Sequence, residues 1–314
     1  MKVSLHVLKP GSCCTVQDLG RRGVASRGFS SGGAMDQYAA RAANALVDNR
    51  ADAALLEVTL GGFQFEVDGP VDMAVCGAEA PLQINQRYVE SWRTHALEAG
   101  DIVTLGFAQR GARLYVALAG GVVVTPCLGS SSTVIRENIG GHLGRALRVG
   151  DAIELAPRDM SMQPRRFSVS HRHRFGGVVT LMASVGPQWQ QLSREDKRRL
   201  VGKVFSVSPQ CDRMGYRLQS DEPLQALPGM LSEGVGMGTV QLPNNGQPIV
   251  LMRDHQTMGG YPKPLVLLPE AVDALGQCRP GDTVKFSLLS NGEARRRANA
   301  YQQRLKKMPW EYVS

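Results

Sequence analysis

Short apolar stretches alternate with polar, glycine-punctuated turns along most of the chain. Phe63-Gln64-Phe65-Glu66-Val67 alternates strictly, the signature of a strand with one buried face. Residues 2–9 alternate more weakly and predict a first strand ended by Pro10-Gly11. Further strands are predicted at 55–62, 72–77, 102–107, 113–121, 152–155, 176–184, 204–208 and 282–289. So many short strands at this spacing indicate a sandwich or barrel. The fold class is therefore mainly β, with a few peripheral helices. Asp36–Leu46 is the clearest helix of the first half, rich in Ala, with Ser30, Ser31 or Asp36 available to cap it. Residues 189–200 predict a second helix, with Ser193 as cap and Glu195-Asp196 in its first turn. A basic helix over 293–307 should pack on the outside. Residues 14–23 and 28–36 read as loop, and Glu57, a lone acid in an apolar strand, reads as pointing outward.

A faint repeat suggests duplication. Gly111, ARLYVAL, Gly120-Gly121 and Gly150-Asp151 recur as Gly246, QPIVLM, Gly259-Gly260 and Gly281-Asp282. Residues 157–175 carry Pro, Ser and charge without periodicity and read as a linker. The expected organisation is one β domain over 1–160 and a second over 161–314, the latter ending in the basic helix.

The stretch from Ser232 to Lys263 holds the densest candidate chemistry. Val240, Leu242 and Ile249–Met252 give two strands, and Asn244-Asn245-Gly246 gives the turn between them. Arg253, Asp254, His255, Gln256 and Thr257 then crowd polar groups directly behind a buried strand, where a rigid scaffold can position a site. Gly259-Gly260 lets the backbone turn or approach another group closely.

Charge narrows the options. The net charge of +8 over 314 residues invites a nucleic-acid partner. Residues 158–174 carry a net +4 and residues 293–307 a net +5, leaving the remainder near −1. The basic excess thus lies in solvated segments rather than on a face with interleaved aromatics, and no nucleic-acid role is expected. No apolar run approaches the roughly 20 residues of a membrane span, and the N-terminal apolar core is too short for a signal peptide. A cytoplasmic protein is expected. The six cysteines form no C-x-x-C pair and read as buried thiols. His171-x-His173 alone is too small a ligand set for a metal, and none is expected.

Nucleotide-binding loops of known type are absent. Gly234-Val-Gly-Met-Gly238 lacks the Lys and Ser/Thr that hold phosphates and metal, no H-E-x-x-H or G-x-S-x-G occurs, and no Lys sits between methionines as a biotin acceptor would. What remains is a set of polar side chains at strand ends. Carboxylates (Asp36, Glu233, Asp254) can serve as bases. Arg213 and Lys263 can hold a carboxylate or an oxyanion. Tyr216, Gln241, Asn244, Gln247, Gln256 and Thr257 add hydrogen-bonding groups. The mixture suits a small polar substrate such as an amide, a lactam or an acyl phosphate.

Six segments in order carry a resemblance. They are TVQDLGRRG (15–23), GAMDQYAARAANALV (33–47), LEVTLGG (56–62), IGGHLGRALRVGD (139–151), RMGYRL (213–218) and QLPNNGQPIVLMRDHQTMGGYPK (241–263). Over roughly residues 5–290 the chain resembles the biotin-dependent carboxyltransferase-like family that contains the C subunit of 5-oxoprolinase and the Kip-type anti-inhibitor subunit. Asp254-His-Gln-Thr-Met-Gly-Gly260 followed by Tyr261-Pro262-Lys263 is similar to the oxoprolinase branch rather than to urea carboxylase. The resemblance implies two cyclophilin-like β-barrel domains and two partners, the A subunit and the Kip-inhibitor-like B subunit of 5-oxoprolinase. It implies ATP-dependent hydrolysis of 5-oxo-L-proline to L-glutamate, with ATP bound by or shared with a partner and no covalent biotin. Asp36 and Asp254 would be the acid/base candidates, and Arg213, Tyr216, Glu233, Gln241, Asn244, Gln247, Gln256, Thr257 and Lys263 the substrate-holding set. Two departures stand out. Cys211-Asp212 replaces the family's usual Ser-Asn, and Ser30-Ser-Gly-Gly-Ala-Met-Asp36 replaces Pro-x-Ser-Gly-Ala-Met-Asp. Two alternatives remain open: a biotin-dependent carboxyltransferase acting on a small amide, and a non-catalytic regulatory protein that binds a Kip-inhibitor-like partner.

Overall fold

A computed structural model describes residues 3–157 and 163–313. The chain is mainly β, with 36% strand and 18% helix. It divides into two compact units: Met1–Arg22, Gly32–Phe175 and Lys307–Ser314 form the first, and Gly23–Ser31 with Gly176–Lys306 form the second.

Among the described residues the first unit has two large antiparallel sheets and one two-stranded one. One has six strands in the order Ala152–Leu155, Val3–Pro10, Phe63–Val67, Ile102–Leu105, Leu82–Ile84, Arg87–Val89. The alternation read at Phe63–Val67 is realised, with Phe63, Phe65 and Val67 buried and Gln64 and Glu66 half-buried. The other large sheet runs Cys13–Gln17, Leu55–Thr59, Arg110–Leu118, Val71–Glu79, Thr94–Leu97. Its central strands, Arg110–Leu118 and Val71–Glu79, are buried along almost their whole length. Helix α1 (Gln37–Leu46) packs on that pair. Its inner face is largely alanine, which lets backbone approach backbone, and the Asp36 side chain caps it by accepting from Ala39 N at 3.0 Å.

Two expectations change here. The segment from residue 14, expected as loop, opens with the strand Cys13–Gln17, because Thr15 and Gln17 are polar yet buried and bonded. Part of the expected linker is also structured: Arg165–Phe167 pairs with Trp310–Tyr312. Arg165 stacks over Trp310, 3.9 Å from the ring centre, and donates to Ala45 O near the end of α1. Residues 158–162, near the start of that expected linker, lie outside the described residues.

The second unit is a closed seven-strand barrel. Its order is Val179–Val185, Leu265–Leu267, Thr239–Gln241, Ile249–Leu251, Gly215–Gln219, Phe205–Cys211, Thr283–Leu288. Closure is by a parallel pairing of Thr283–Leu288 with Val179–Val185, which leaves no open edge. Leu181, Phe205, Leu218, Val240, Val250, Leu265 and Phe286 fill the interior. Helix α2 (Arg194–Gly202) starts at Ser193, whose hydroxyl accepts from Asp196 N at 2.9 Å. Helices α3 (Pro269–Gly276) and α4 (Asn291–Lys306) meet on the outside, where Tyr301 Oη donates to Asp273 Oδ2 at 2.6 Å. The basic face of α4 stays exposed, as expected. Among the described residues no helix is long and apolar enough to cross a membrane.

Candidate functional site

In the second unit the hairpin forms as read, with Val240 opposite Val250 and Gln241 opposite Ile249. Beyond Leu251 the pairing with the neighbouring strand is prolonged into its turn. Met252 N donates to Met214 O at 2.9 Å and Asp254 N to Arg213 O at 2.8 Å. Those two bonds bring Arg213 alongside Asp254. The guanidinium then grips the carboxylate at two points, Nε to Oδ2 at 2.8 Å and Nη2 to Oδ1 at 2.9 Å. Both side chains are largely buried. A carboxylate with both oxygens engaged this way is better suited to fixing geometry than to taking a proton.

The neighbours of Asp254 divide by role. Arg253 donates to Asp273 Oδ1 at 2.7 Å and so ties the loop to α3 and α4. His255 Nδ1 lies 2.5 Å from Gln256 O; a carbonyl only accepts, so Nδ1 carries the proton. Ser30 Oγ lies 2.9 Å from His255 O and 3.2 Å from Asp254 O, and so pins the same loop. Gln256 and Thr257 are half-buried, and Thr257 O accepts from Val235 N at 3.0 Å.

A second group lies farther along the stretch. Lys263 is buried, its side chain 6% exposed, and its ammonium meets the carboxylate of Glu233 and lies 3.8 Å from Met230 Sδ. Glu233 stands opposite Gly259 in a two-residue ladder. A Cβ on Gly259 would lie 2.4 Å from Gln241 Nε2, so a side chain there would displace that amide. Gln241 is 2% exposed and its Nε2 finds no partner among the described residues.

Three of the anticipated residues sit elsewhere. Tyr216 is in the barrel interior, its hydroxyl donating to Cys278 O at 3.3 Å. Gln247 locks the turn by exchanging two bonds with the Ser220 backbone, at 2.8 and 2.9 Å. Asn244 is exposed on that turn.

The first unit holds its own buried polar network around Asp36. The Asp36 backbone N–H donates to Tyr115 Oη at 2.8 Å, and Tyr115 Oη donates to Glu57 Oε2 at 2.8 Å. Met35 N also donates to Glu57 Oε2, and Arg113 Nε lies 3.8 Å from Oε1. Glu57 therefore does not point outward; it is 1% exposed because Tyr115, Met35 and Arg113 satisfy or balance it. Burial, then the charges of Glu57 and Asp36, push the Tyr115 phenol well above its ordinary range and keep it a donor. Asp36 Oδ2 lies 2.6 Å from His173 Nε2. His173 is packed among Tyr38, Trp92 and Phe175 and borders a cleft of about 340 Å³ that Arg110, Arg172 and Arg174 also line. Sequence alone does not mark Ser30, Glu57, Tyr115 or His173 as site residues. The His171-x-His173 pair is the available signal, and its second histidine meets the Asp36 carboxylate.

The family model described as carboxyltransferase domain, subdomain A and B, matches residues 27–288. The chain is 36% identical over 315 residues to the C subunit of 5-oxoprolinase from Escherichia coli K12, covering 98% of each. It is 33% identical to the Haemophilus influenzae protein of the same name, over 97% of this chain and 98% of the other. Among solved structures, the urea amidolyase of Kluyveromyces lactis superimposes with a TM-score of 0.89 at 25% identity, over 96% of this chain and 20% of that one. The chain belongs to the carboxyltransferase domain family, subdomains A and B.

Proposed function

We propose that this protein is one component of an ATP-dependent 5-oxoprolinase that opens 5-oxo-L-proline to L-glutamate together with an A subunit and a Kip-inhibitor-like B subunit, in the cytoplasm. The observation that carries the reading is the end-to-end match to the C subunit of 5-oxoprolinase, 36% identical over 98% of each chain. The barrel site supplies a supporting chemistry. Arg213–Asp254 fixes a rigid loop, while Gln241 and Lys263 are buried donors suited to a carbonyl and a carboxylate, the polar groups of a lactam acid. With both oxygens of Asp254 engaged, its role here is positioning. Asp36, in the first unit, is likewise engaged at both oxygens, by Ala39 N and by His173 Nε2, and its role is read the same way.

We read ATP as bound by, or shared with, a partner protein. The glycine run 234–238 has no phosphate-holding Lys or Ser/Thr, and the Val235 amide, which a phosphate cradle would use, is bonded to Thr257 O. The test is co-expression with the A and B subunits and measurement of glutamate formed from 5-oxo-L-proline. ATP-dependent glutamate that requires this chain is the expected result; intact 5-oxoproline in the full assembly overturns the reading.

The match to urea amidolyase, TM-score 0.89, favours one second reading, transfer of a carboxyl group from carboxybiotin held by another protein. Binding of free biotin to the purified chain discriminates, and the oxoprolinase reading expects none.

A further inference from the structure

Lys263 and Gln241 form an incomplete constellation. A buried ammonium requires a counter-charge, and a buried amide N–H requires an acceptor. Among the described residues Lys263 has its counter-charge from Glu233, which is itself 47% exposed. Gln241 Nε2 has no acceptor among the described residues. The two groups are linked through one ladder: Gln241 Nε2 packs against Gly259, and Gly259 stands opposite Glu233, which meets Lys263.

The segment carrying Glu233 is held lightly. Between Met230 and Gly236 its backbone attachments among the described residues are the ladder pairs Glu233–Gly259 and Gly234–Met258, Met230 N to Gly260 O at 3.4 Å, Val235 N to Thr257 O at 3.0 Å and Thr239 N to Gly236 O at 3.2 Å. Leu231, 91% exposed, adds almost no apolar burial, so the apolar anchoring of the segment rests on Val235, 9% exposed. Local opening of such a weakly attached segment needs far less free energy than global unfolding.

We propose that residues 230–236 are a movable cover, and that the Glu233 carboxylate holds the place of a ligand carboxylate on Lys263. When the cover lifts, a small carboxylate takes Lys263 as its cation and offers an oxygen to Gln241 Nε2. Glu233 and the ligand are mutually exclusive, so the protein carries a competitor for its own site. This deepens the binding role given above to Lys263 and Gln241 and rests on that reading, but its test needs neither ATP nor partners.

The experiment is reductive methylation of the full-length chain, with the rate at each lysine read by peptide mass spectrometry and exposed Lys285 as internal reference. Acetate is the probe, titrated against chloride at constant ionic strength. Glu233→Gln should speed methylation of Lys263 about fivefold relative to Lys285, the scale set by losing a half-exposed ion pair. Acetate, and not chloride, should then protect Lys263 in that variant, and Gln241→Leu combined with it should weaken the protection. In the unaltered chain acetate should raise hydrogen exchange at the Val235 amide, because ligand and closed cover cannot coexist. An unchanged Lys263 rate in Glu233→Gln overturns the cover. Faster methylation with no acetate protection reduces Glu233 to a structural latch and overturns the site. Failure of glutamate formation in the assembly bears only on the oxoprolinase reading.

Discussion

Arg213 and Asp254 are 41 residues apart in sequence and meet through two parallel hydrogen bonds, with Asp254 N also bonded to Arg213 O. Backbone and side chain thus specify the same pairing. Lysine cannot reproduce a planar fork. Arg213→Lys should therefore fold, yet lower the activity of the assembled enzyme strongly through misplacement of the 253–257 loop. Arg213→Ala leaves a buried carboxylate unpaired, which costs roughly 3 kcal/mol. Denaturant unfolding of the double variant Arg213→Ala/Asp254→Ala should show much of that loss recovered. A loss in the double variant equal to the sum of the two single losses would rule out the coupling.

Tyr115 mediates between Asp36 and Glu57. Replacing it with Phe removes one hydroxyl, the acceptor of the buried Asp36 amide, and leaves Glu57 Oε2 with Met35 N but without its phenol donor. The expected cost is about 2 kcal/mol, within the range for orphaned buried polar groups. Glu57→Gln keeps the shape but removes the charge facing Arg113, and should also destabilise. Thermal unfolding of both variants checks this. A Tyr115→Phe protein as stable as the parent would mean that water replaces the hydroxyl.

Much of this was legible in the chain. The alternation at Phe63–Val67, the Asn-Asn-Gly turn and the Ser193 cap rest on local physics, and the structure has each of them. The order of motifs also located the 253–263 loop. What was not legible has one common cause, satisfaction of buried polar groups by distant partners. Glu57 looks surface-bound until Tyr115, Met35 and Arg113 are seen around it. Gln247 looks like a ligand contact until Ser220 takes both ends of its amide. Thr15 and Gln17 disguise a buried strand as a loop for the same reason. Side-chain periodicity reports burial of apolar groups and is silent about such pairings.

Gly246 offers a backbone test. Its φ is +69°, and a Cβ there would lie 2.1 Å from Leu224 O. Gly246→Ala combines a left-handed backbone with a collision against fixed backbone, so it should cost more than the ~1 kcal/mol typical of αL strain alone. The loss should appear as a lower unfolding midpoint and as faster exchange at Leu224 N, which donates to Gly246 O at 3.0 Å. Gly281→Ala, at φ +89° with nothing within 4 Å of its Cβ, is the control that isolates the φ penalty. Equal effects at the two sites would remove the collision from the account.

Asp151 supplies a pH dependence. Arg145 grips its carboxylate at 2.7 and 2.9 Å, and Arg148 N donates to it at 2.8 Å. The hydrogen bond from Arg145, helped by Arg148 N and by the charges of His142 and Arg145, lowers its pKa to about 2. In the unfolded chain an aspartate titrates near about 3.9. The folded value is the lower one, so the ionised form is favoured by folding. The stabilisation is complete above about pH 4 and is lost as pH falls through about 2. Converting the shift at about 1.36 kcal/mol per unit gives at most about 2.6 kcal/mol, and solvent screening of a loop site reduces this to about 1 kcal/mol. Asp151→Asn should therefore be less stable than the parent near neutral pH, and the difference should shrink toward zero as the medium is acidified to about pH 2. Urea unfolding of both proteins across that range measures it. A difference that stays constant with pH would assign the effect to hydrogen-bond geometry rather than to charge.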